Sequence, residues 1–401
     1  MNHLSGKRKV IMFFVAAVLT VMQPVTAMAS DSDIRLSSDD EASFLLQGMP
    51  ELASEGAIVV DIKTGYTMYE KDIYKKLYPA SITKIMTAIL AIENLNLSDI
   101  VTFSHDAVYT IEPGSSSGYL REGEQITVEQ CLYGLMLISG NDIANGLGEA
   151  ISGSMSEFAV KMTEKAKEIG CMYTNFSNAH GLHDENHYTC PYDMAVIGKY
   201  AYDNYDMYRT LISETRYVVE PTEKCDETRY WHNSNRLIEV GNKYYDEDCL
   251  GGKTGFTNEA GGTLVTYHNI NGRTIMIVVM KAYNSAGAYD DTIRMCDYIE
   301  ENTDQTYYGR LDESYQELKK QEAESLAQAV NVVNGEKSAG ISNDGDEVEK
   351  NVTTFSLPQK IVLLILTIFV LYYFYISVQR SKRRRKRSRR HYRKIYTERD
   401  L

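Results

Sequence analysis

Hydrophobic and polar positions follow three regimes along this chain of 401 residues. An apolar run, Ala57–Asp61, leads through the turn Lys63-Thr64-Gly65 into a second extended stretch, Tyr66–Glu70, which predicts a strand pair. From Ser81 the period lengthens. Ile85, Met86, Ala88, Ile89, Ile92 and Leu95 recur at i, i+3, i+4 and i+7, the stripe of an amphipathic helix. Val128–Leu137, Asp142 to about Ala150, and Met155–Ile169 read as further helices, the last stopped by Gly170. Pro191 opens another at the position where proline fits best. After Gly252 the period falls to two. Thr263–Asn269 and Arg273–Lys281 flank Asn271-Gly272, a strong hairpin signal, and Thr292–Glu301 reads as a closing helix. Strands at both ends of the body with helices between them predict an α+β fold. Its mainly antiparallel sheet is completed by the two ends of the chain and covered by helices.

Outside the body the pattern changes again. Lys7-Arg8-Lys9, the apolar run Val10–Met22 and Ala27-Met28-Ala29 form an export signal over residues 1–29. A second apolar run, Ile361–Val378, holds eighteen residues without a charge. As a helix it covers about 27 Å, enough for a bilayer core, with Tyr372, Tyr373 and Tyr375 toward the end where an aromatic belt sits. Residues 306–358 between body and span are polar: a charged helical stalk over 311–333, then a linker over 334–358 rich in Gly, Ser, Asp and Glu. The expectation is a single-pass membrane protein with its body outside and residues 380–401 in the cytoplasm.

Composition sharpens this picture. Hydrophobic residues make up 43% and charged residues 24%, which excludes whole-chain disorder and collagen-like or coiled-coil readings. The tail from Arg380 carries twelve Lys and Arg against two acids, net +10, and the leader carries +3. The intervening residues 30–379 therefore hold −26 of a total of −13. So acidic a body does not track nucleic acid by its net field. Six cysteines in an exported body permit disulfides, and the spacing chooses among none of the pairings; Cys171 with Cys190 and Cys225 with Cys249 each span a loop. No CxxC pair exists, which weakens zinc and thioredoxin-like readings.

Three short motifs carry chemistry. In Pro79-Ala80-Ser81-Ile82-Thr83-Lys84 the serine and lysine lie on one helical face, so Lys84 reaches the Ser81 hydroxyl. Serine is a weak nucleophile and needs such a base, and lysine becomes one only where its surroundings lower its pKa. A bland alternative has Ser81 merely capping the helix. Ser139-Gly140-Asn141 places a hydroxyl and an amide on a tight turn, where they either relay a proton and grip a carbonyl or cap the next helix. Lys253-Thr254-Gly255 sets a cation and a hydroxyl on a strand edge, suited to a ligand ending in a carboxylate. The same tripeptide at Lys63-Thr64-Gly65 is ordinary turn chemistry. His180, His183 and His187 invite a metal reading, but no H-E-x-x-H pattern is present and Gly181 argues for a loop.

In this order the three motifs resemble those of penicillin-binding proteins and class A β-lactamases. The chain more closely resembles the D-alanyl-D-alanine carboxypeptidase family, the low-molecular-weight penicillin-binding proteins. The stretches that carry this are Tyr78–Thr87, Gly114–Ser117, Ile138–Asp142, Asn178–Leu182 and Gly251–Thr257, within roughly residues 41–305. The resemblance implies a β-lactamase/DD-peptidase-like fold without cofactor or metal. It also implies a serine carboxypeptidase that trims D-alanine from peptidoglycan stem peptides and is acylated by β-lactam antibiotics. Ser81 is then the acylated nucleophile and Lys84 its base, with Ser139 and Asn141 completing the proton path. Lys253 and Thr254 hold the terminal carboxylate, with Gly255, Phe256 and Thr257 along the substrate. The N–H groups of Ser81 and Phe256 form the oxyanion hole. Unlike many members, this chain carries Phe256 where histidine is common, a short polar stretch where others have a β-rich second domain, and a span instead of an amphipathic anchor. The alternatives are a β-lactamase, a DD-transpeptidase, or a non-catalytic wall-binding protein on the same fold.

Overall fold

The computed structural model describes Ile34 and residues 44–335. The export signal at 1–29, most of the linker, the apolar run 361–378 and the basic tail 380–401 lie outside the described residues. Gly56–Asp61 (β1) and Thr67–Lys71 (β2) form the expected first hairpin. In its turn the Asp61 carboxylate accepts from the Thr64 amide and hydroxyl, both at 2.7 Å. The upstream Lys-Thr-Gly is therefore held as a turn. A 3-10 turn over Ala80–Thr83 then feeds α1 (Lys84–Asn94). Next come β3 (Ile100–Thr102), α2 (His105–Tyr109) and β4 (Gln125–Thr127), of which β3 and β4 pair with each other.

The helical middle follows the apolar stripes closely. It comprises α3 (Val128–Leu137), α4 (Asn141–Ser152), α5 (Met155–Glu168), α6 (Pro191–Asn204) and α7 (Asp206–Ser213). Local chemistry sets several of the starts. Thr127 and Gln130 make a reciprocal capping box ahead of α3, and the Ser154 hydroxyl accepts from the Glu157 amide ahead of α5. A small hairpin, β5 (Arg216–Val219) and β6 (Arg229–His232), precedes the long strands β7 (Cys249–Thr257), β8 (Gly261–Ile270) and β9 (Arg273–Ala282). The chain closes with α8 (Ser285–Asn302) and α9 (Gln305–Gly335).

The main sheet has the order β2-β1-β9-β8-β7, antiparallel throughout, so the chain's first hairpin completes a sheet built by its last strands. Both faces are covered, so Ile275–Met280 of β9 is apolar without a break instead of alternating at the expected period of two. Ile58 and Val60 of β1, with Met276, Val278 and Met280 of β9, face α1, α3, α4 and α6. Ala57, Val59, Ile275, Ile277 and Val279 face α8 and the first turns of α9. Each such fully buried side chain contributes about 1.5–3 kcal/mol.

Helix α8 begins at Ser285, seven residues before the apolar stripe predicts, because the Asn284 side chain caps the Gly287 amide. Gly262 admits that start, since a Cβ there would lie 2.2 Å from the Asn284 carbonyl. The stalk helix is anchored too. Tyr307, Tyr308 and Leu311 are buried, and Arg273 bridges Asp61 and Asp312 at 2.5 and 2.6 Å. The compact unit that holds the body runs to Glu324. All six cysteines are free thiols. No helix of the described residues is long and apolar enough to cross a membrane.

Candidate active site

The Ser81 hydroxyl sits at the seam between the start of α1 and strand β7. Ala80, just before it, adopts φ +50°, a left-handed conformation that costs a non-glycine residue about 1–3 kcal/mol and is tolerated where surrounding contacts enforce it. Those contacts are visible. The Thr263 hydroxyl of β8 donates to the Pro79 carbonyl at 2.8 Å, and Gly181 packs against the Ala80 carbonyl from the other side. A Cβ on Gly181, whose φ is +87°, would lie 1.8 Å from that oxygen, so only glycine fits. Gly255 of β7 also approaches closely, a Cβ there falling 2.4 Å from Thr263 Oγ1 and 2.8 Å from the Ser81 nitrogen. This contact sets the Gly255-Phe256 backbone beside the nucleophile. Ser81 caps nothing, since neither end of the 3-10 turn uses a side-chain cap.

Lys84 is wholly buried and its Nζ meets three acceptors: Ser81 Oγ at 3.1 Å, Asn141 Oδ1 at 2.8 Å and the His180 carbonyl at 2.6 Å. Burial, and then the charge of Lys253, hold its pKa well below the ordinary lysine range, against an opposing pull from Asp142. As a neutral amine it has two hydrogens and one lone pair. The carbonyl oxygens of Asn141 and His180 take the hydrogens, which leaves the lone pair for the Ser81 proton.

The Ser139-Gly140-Asn141 turn does not serve to cap α4. Gly140 is the N-cap and offers no side chain, while the Asn141 amide oxygen is committed to Lys84. Ser139 is buried at φ +61°, and its Oγ has no hydrogen-bond partner among the described residues. An unpaired buried hydroxyl costs about 1–3 kcal/mol, and this one stands at the wall of the cavity that holds Ser81. Asp142, next in line, accepts from Ser117 Oγ and from the amides of Gly118 and Leu120 at 2.7, 2.8 and 3.2 Å. It thereby pins the opposite wall, where the Ser116 carbonyl receives the Asn141 amide at 2.9 Å.

A cavity of about 370 Å³ opens above these groups, lined by Ser81, Asn141, Thr254, Phe256 and Thr257 among others. Lys253 stands behind that wall. It is fully buried, donates to its neighbour's carbonyl (Thr254 O, 2.9 Å), and is pushed down to about 7 by burial. The cation that lines the cavity is Arg236, with Ser234 beside it hydrogen-bonded to Thr254 Oγ1 at 2.8 Å. Sequence reasoning assigned no role to Ser234, Arg236, Thr263 or Ser116. Ser116 falls within the stretch Gly114–Ser117 without a role of its own, and Ser234, Arg236 and Thr263 lie in no motif, so that only the packing of β8 and the loop after β6 brings them in. His187 is buried and His180 half-buried, and both are pushed down to about 3, chiefly by desolvation, while the His183 ring stacks edge-on to Tyr78. The His187 nitrogens serve Thr83 and the Ser177 amide, and His180 Nδ1 accepts from the Leu182 amide, so these rings brace the loop under Ala80.

A profile described as D-alanyl-D-alanine carboxypeptidase matches residues 45–284. Among curated proteins, the chain is 39% identical over 217 residues to D-alanyl-D-alanine carboxypeptidase DacF of Bacillus subtilis, covering 52% of this chain and 53% of that one. It is 30% identical over 261 residues to a Streptomyces D-alanyl-D-alanine carboxypeptidase, covering 62% and 88%. The match thus spans about half the length of the Bacillus relative. Among solved structures, a mutant of a Streptomyces DD-transpeptidase superposes with a TM-score of 0.58 at 29% identity, over 62% of this chain and 98% of that one.

Proposed function

This chain belongs to the D-alanyl-D-alanine carboxypeptidase family, and from that membership we propose that it is a serine-type D-Ala-D-Ala carboxypeptidase acting on peptidoglycan stem peptides. The observation that carries the proposal is the buried Lys84 amine, 3.1 Å from Ser81 Oγ with its other bonds taken by Asn141 and His180. Ser81 Oγ attacks the carbonyl carbon of the penultimate D-alanine while Lys84 takes its proton. The carbonyl π electrons move to the oxygen, which the Ser81 and Phe256 amides stabilise where charge appears only in the transition state. Collapse breaks the C–N bond, and the proton on Lys84 passes through Ser139 to the leaving nitrogen, releasing free D-alanine and a neutral Lys84. Water then attacks the acyl carbon while Lys84 takes its proton; the bond to Ser81 Oγ breaks, and Lys84 returns that proton to Ser81. Thr254 and Arg236 hold the terminal carboxylate, and Lys253 acts from behind the wall as a buried charge.

The body works outside the cell, released from its export signal and tethered by a span over 361–378, with residues 380–401 in the cytoplasm. A second reading, transfer of the acyl group to an amine of another strand, is favoured by the similarity to the Streptomyces DD-transpeptidase. One experiment separates these outcomes. The full chain in detergent is incubated with a stem pentapeptide, with and without an acceptor amine, and with fluorescent penicillin. Free D-alanine without cross-linked dimer and a long-lived penicillin adduct on the wild type, both absent in Ser81→Ala, are expected. Dimer as the main product makes it a transpeptidase, rapid penicillin turnover a β-lactamase, and undiminished labelling of Ser81→Ala refutes the site.

A further inference from the structure

A second cluster of reactive side chains lies at the start of β7. His268 of β8 is fully buried, and its Nδ1 faces the Asp246 carboxylate at 2.8 Å. Cys296 of α8 completes the group, with the three donor atoms all within 4.8 Å of one another. These residues are far apart in sequence, so no spacing motif announces them. Asp246 and Cys296 line a pocket of about 490 Å³ shared with Glu247, Asp248, Asp297 and Glu300, with no lysine or arginine among its lining residues. Cys249 of β7, paired in register with His268, also bears electrostatically on the Cys296 thiol.

We infer that Asp246, His268 and Cys296 form a binding site for a borderline-soft divalent cation of the zinc class. An imidazole, a thiolate and a carboxylate converging in an acidic pocket suit zinc, whereas calcium and magnesium select all-oxygen sets. Tetrahedral zinc bonds of about 2.0–2.3 Å separate neighbouring ligands by about 3.3–3.8 Å, so the cluster needs adjustments of about an ångström or less. The second shell is in place. His268 Nε2 lies 2.9 Å from Thr266 Oγ1. Without a metal, Nδ1–H donates to Asp246 and Nε2 accepts from the Thr266 hydroxyl. On binding, the Nδ1 lone pair goes to the cation, the ring proton sits on Nε2, and Nε2–H donates to Thr266 Oγ1, the kind of bond that fixes a ligand imidazole. The Cys296 thiol releases its proton to solvent, Asp246 stays ionised, and water or Cys249 fills the fourth position. The cation would tie α8 and the loop before β7 to β8, the strand paired with the one that carries Lys253.

The test uses the full chain in detergent, stripped with chelator, kept reduced by a phosphine and titrated with Co²⁺. One equivalent should bind with a thiolate-to-cobalt charge-transfer band that Zn²⁺ abolishes, and Zn²⁺ should raise the Tm. Cys296→Ser should lose the band. Thr266→Val should weaken binding roughly 10–100-fold while preserving the metal-free melting curve. Cys131→Ser, at a core thiol outside the cluster, should behave as wild type. No charge-transfer band in the wild type, or an undiminished one in Cys296→Ser, overturns the site. Neither result bears on the peptidase reading, which is scored by Ser81 acylation.

Discussion

The two Lys-Thr-Gly tripeptides make opposite predictions for the same substitution. Lys253 is fully buried beside Lys84, and its charge is the second largest cause of the depressed Lys84 pKa. Lys253→Ala removes a cation from a water-poor site that receives a carboxylate, an interaction worth about 2–4 kcal/mol, so acylation should slow by roughly 10² to 10³. It also releases Lys84 toward its ordinary range, so the acid limb of the acylation profile should move to higher pH. Lys63 offers none of this. Its side chain is 59% exposed, and its partner Asp312 keeps Arg273 when Lys63 is removed. Lys63→Ala should cost about 0.2–1 kcal/mol of stability and leave acylation unchanged. Stability adds a check of sign. The Lys253 pKa falls from 10.5 unfolded to about 7 folded, so the unfolded chain binds the extra proton between these values. Wild-type stability should therefore rise with pH through that window, and Lys253→Ala should lose the rise. The assay is the second-order rate of fluorescent penicillin labelling against pH, with melting curves on the same samples. A large loss of labelling at Lys63 with a small one at Lys253 would refute the assignment of the second tripeptide to the site.

Three further outcomes follow from the same geometry. Labelling of the wild type should be bell-shaped in pH, rising as Lys84 loses its proton and falling as Lys253 loses its own near 7; because the two amines are coupled, the limbs belong to the pair. A rate still climbing far into the alkaline range would show that Lys253 need not be charged. Asp142→Ala strands three backbone amides, those of Gly118, Leu120 and Ile143, and the Ser117 hydroxyl and should destabilise by about 2–3 kcal/mol, with slower acylation as the Ser116 wall loosens; denaturant unfolding and labelling read both. External protease on intact cells should digest the body and spare an epitope at Leu401, and removal of that epitope from outside would reverse the proposed topology.

Much of this arrangement is local and therefore legible in one dimension. The i, i+3 step from Ser81 to Lys84, the Asn271-Gly272 hairpin, the Pro191 helix start and the apolar stripes of α1, α3 and α5 each depend on neighbours within a turn or two. The sequence by itself thus determined the main helices, the first and last hairpins, the antiparallel sheet closed by the chain's ends, and the three motifs; the short elements β3, α2, β4, α7, β5 and β6 it left unmarked. Tertiary structure decided what those motifs do. That Asn141 accepts a hydrogen bond from Lys84, 57 residues away, that Ser139 Oγ has no hydrogen-bond partner among the described residues, and that Lys253 is buried behind the wall while Arg236 lines it are results of packing between distant elements. The same holds for the glycines. Gly181 and Gly255 look like loop and strand punctuation, and only the approach of another backbone to within an atom's width makes each irreplaceable. Burial and approach depend on which faces meet, and a pKa depends on both. A linear pattern names the side chains, and the fold sets their dielectric, their partners and hence their protonation.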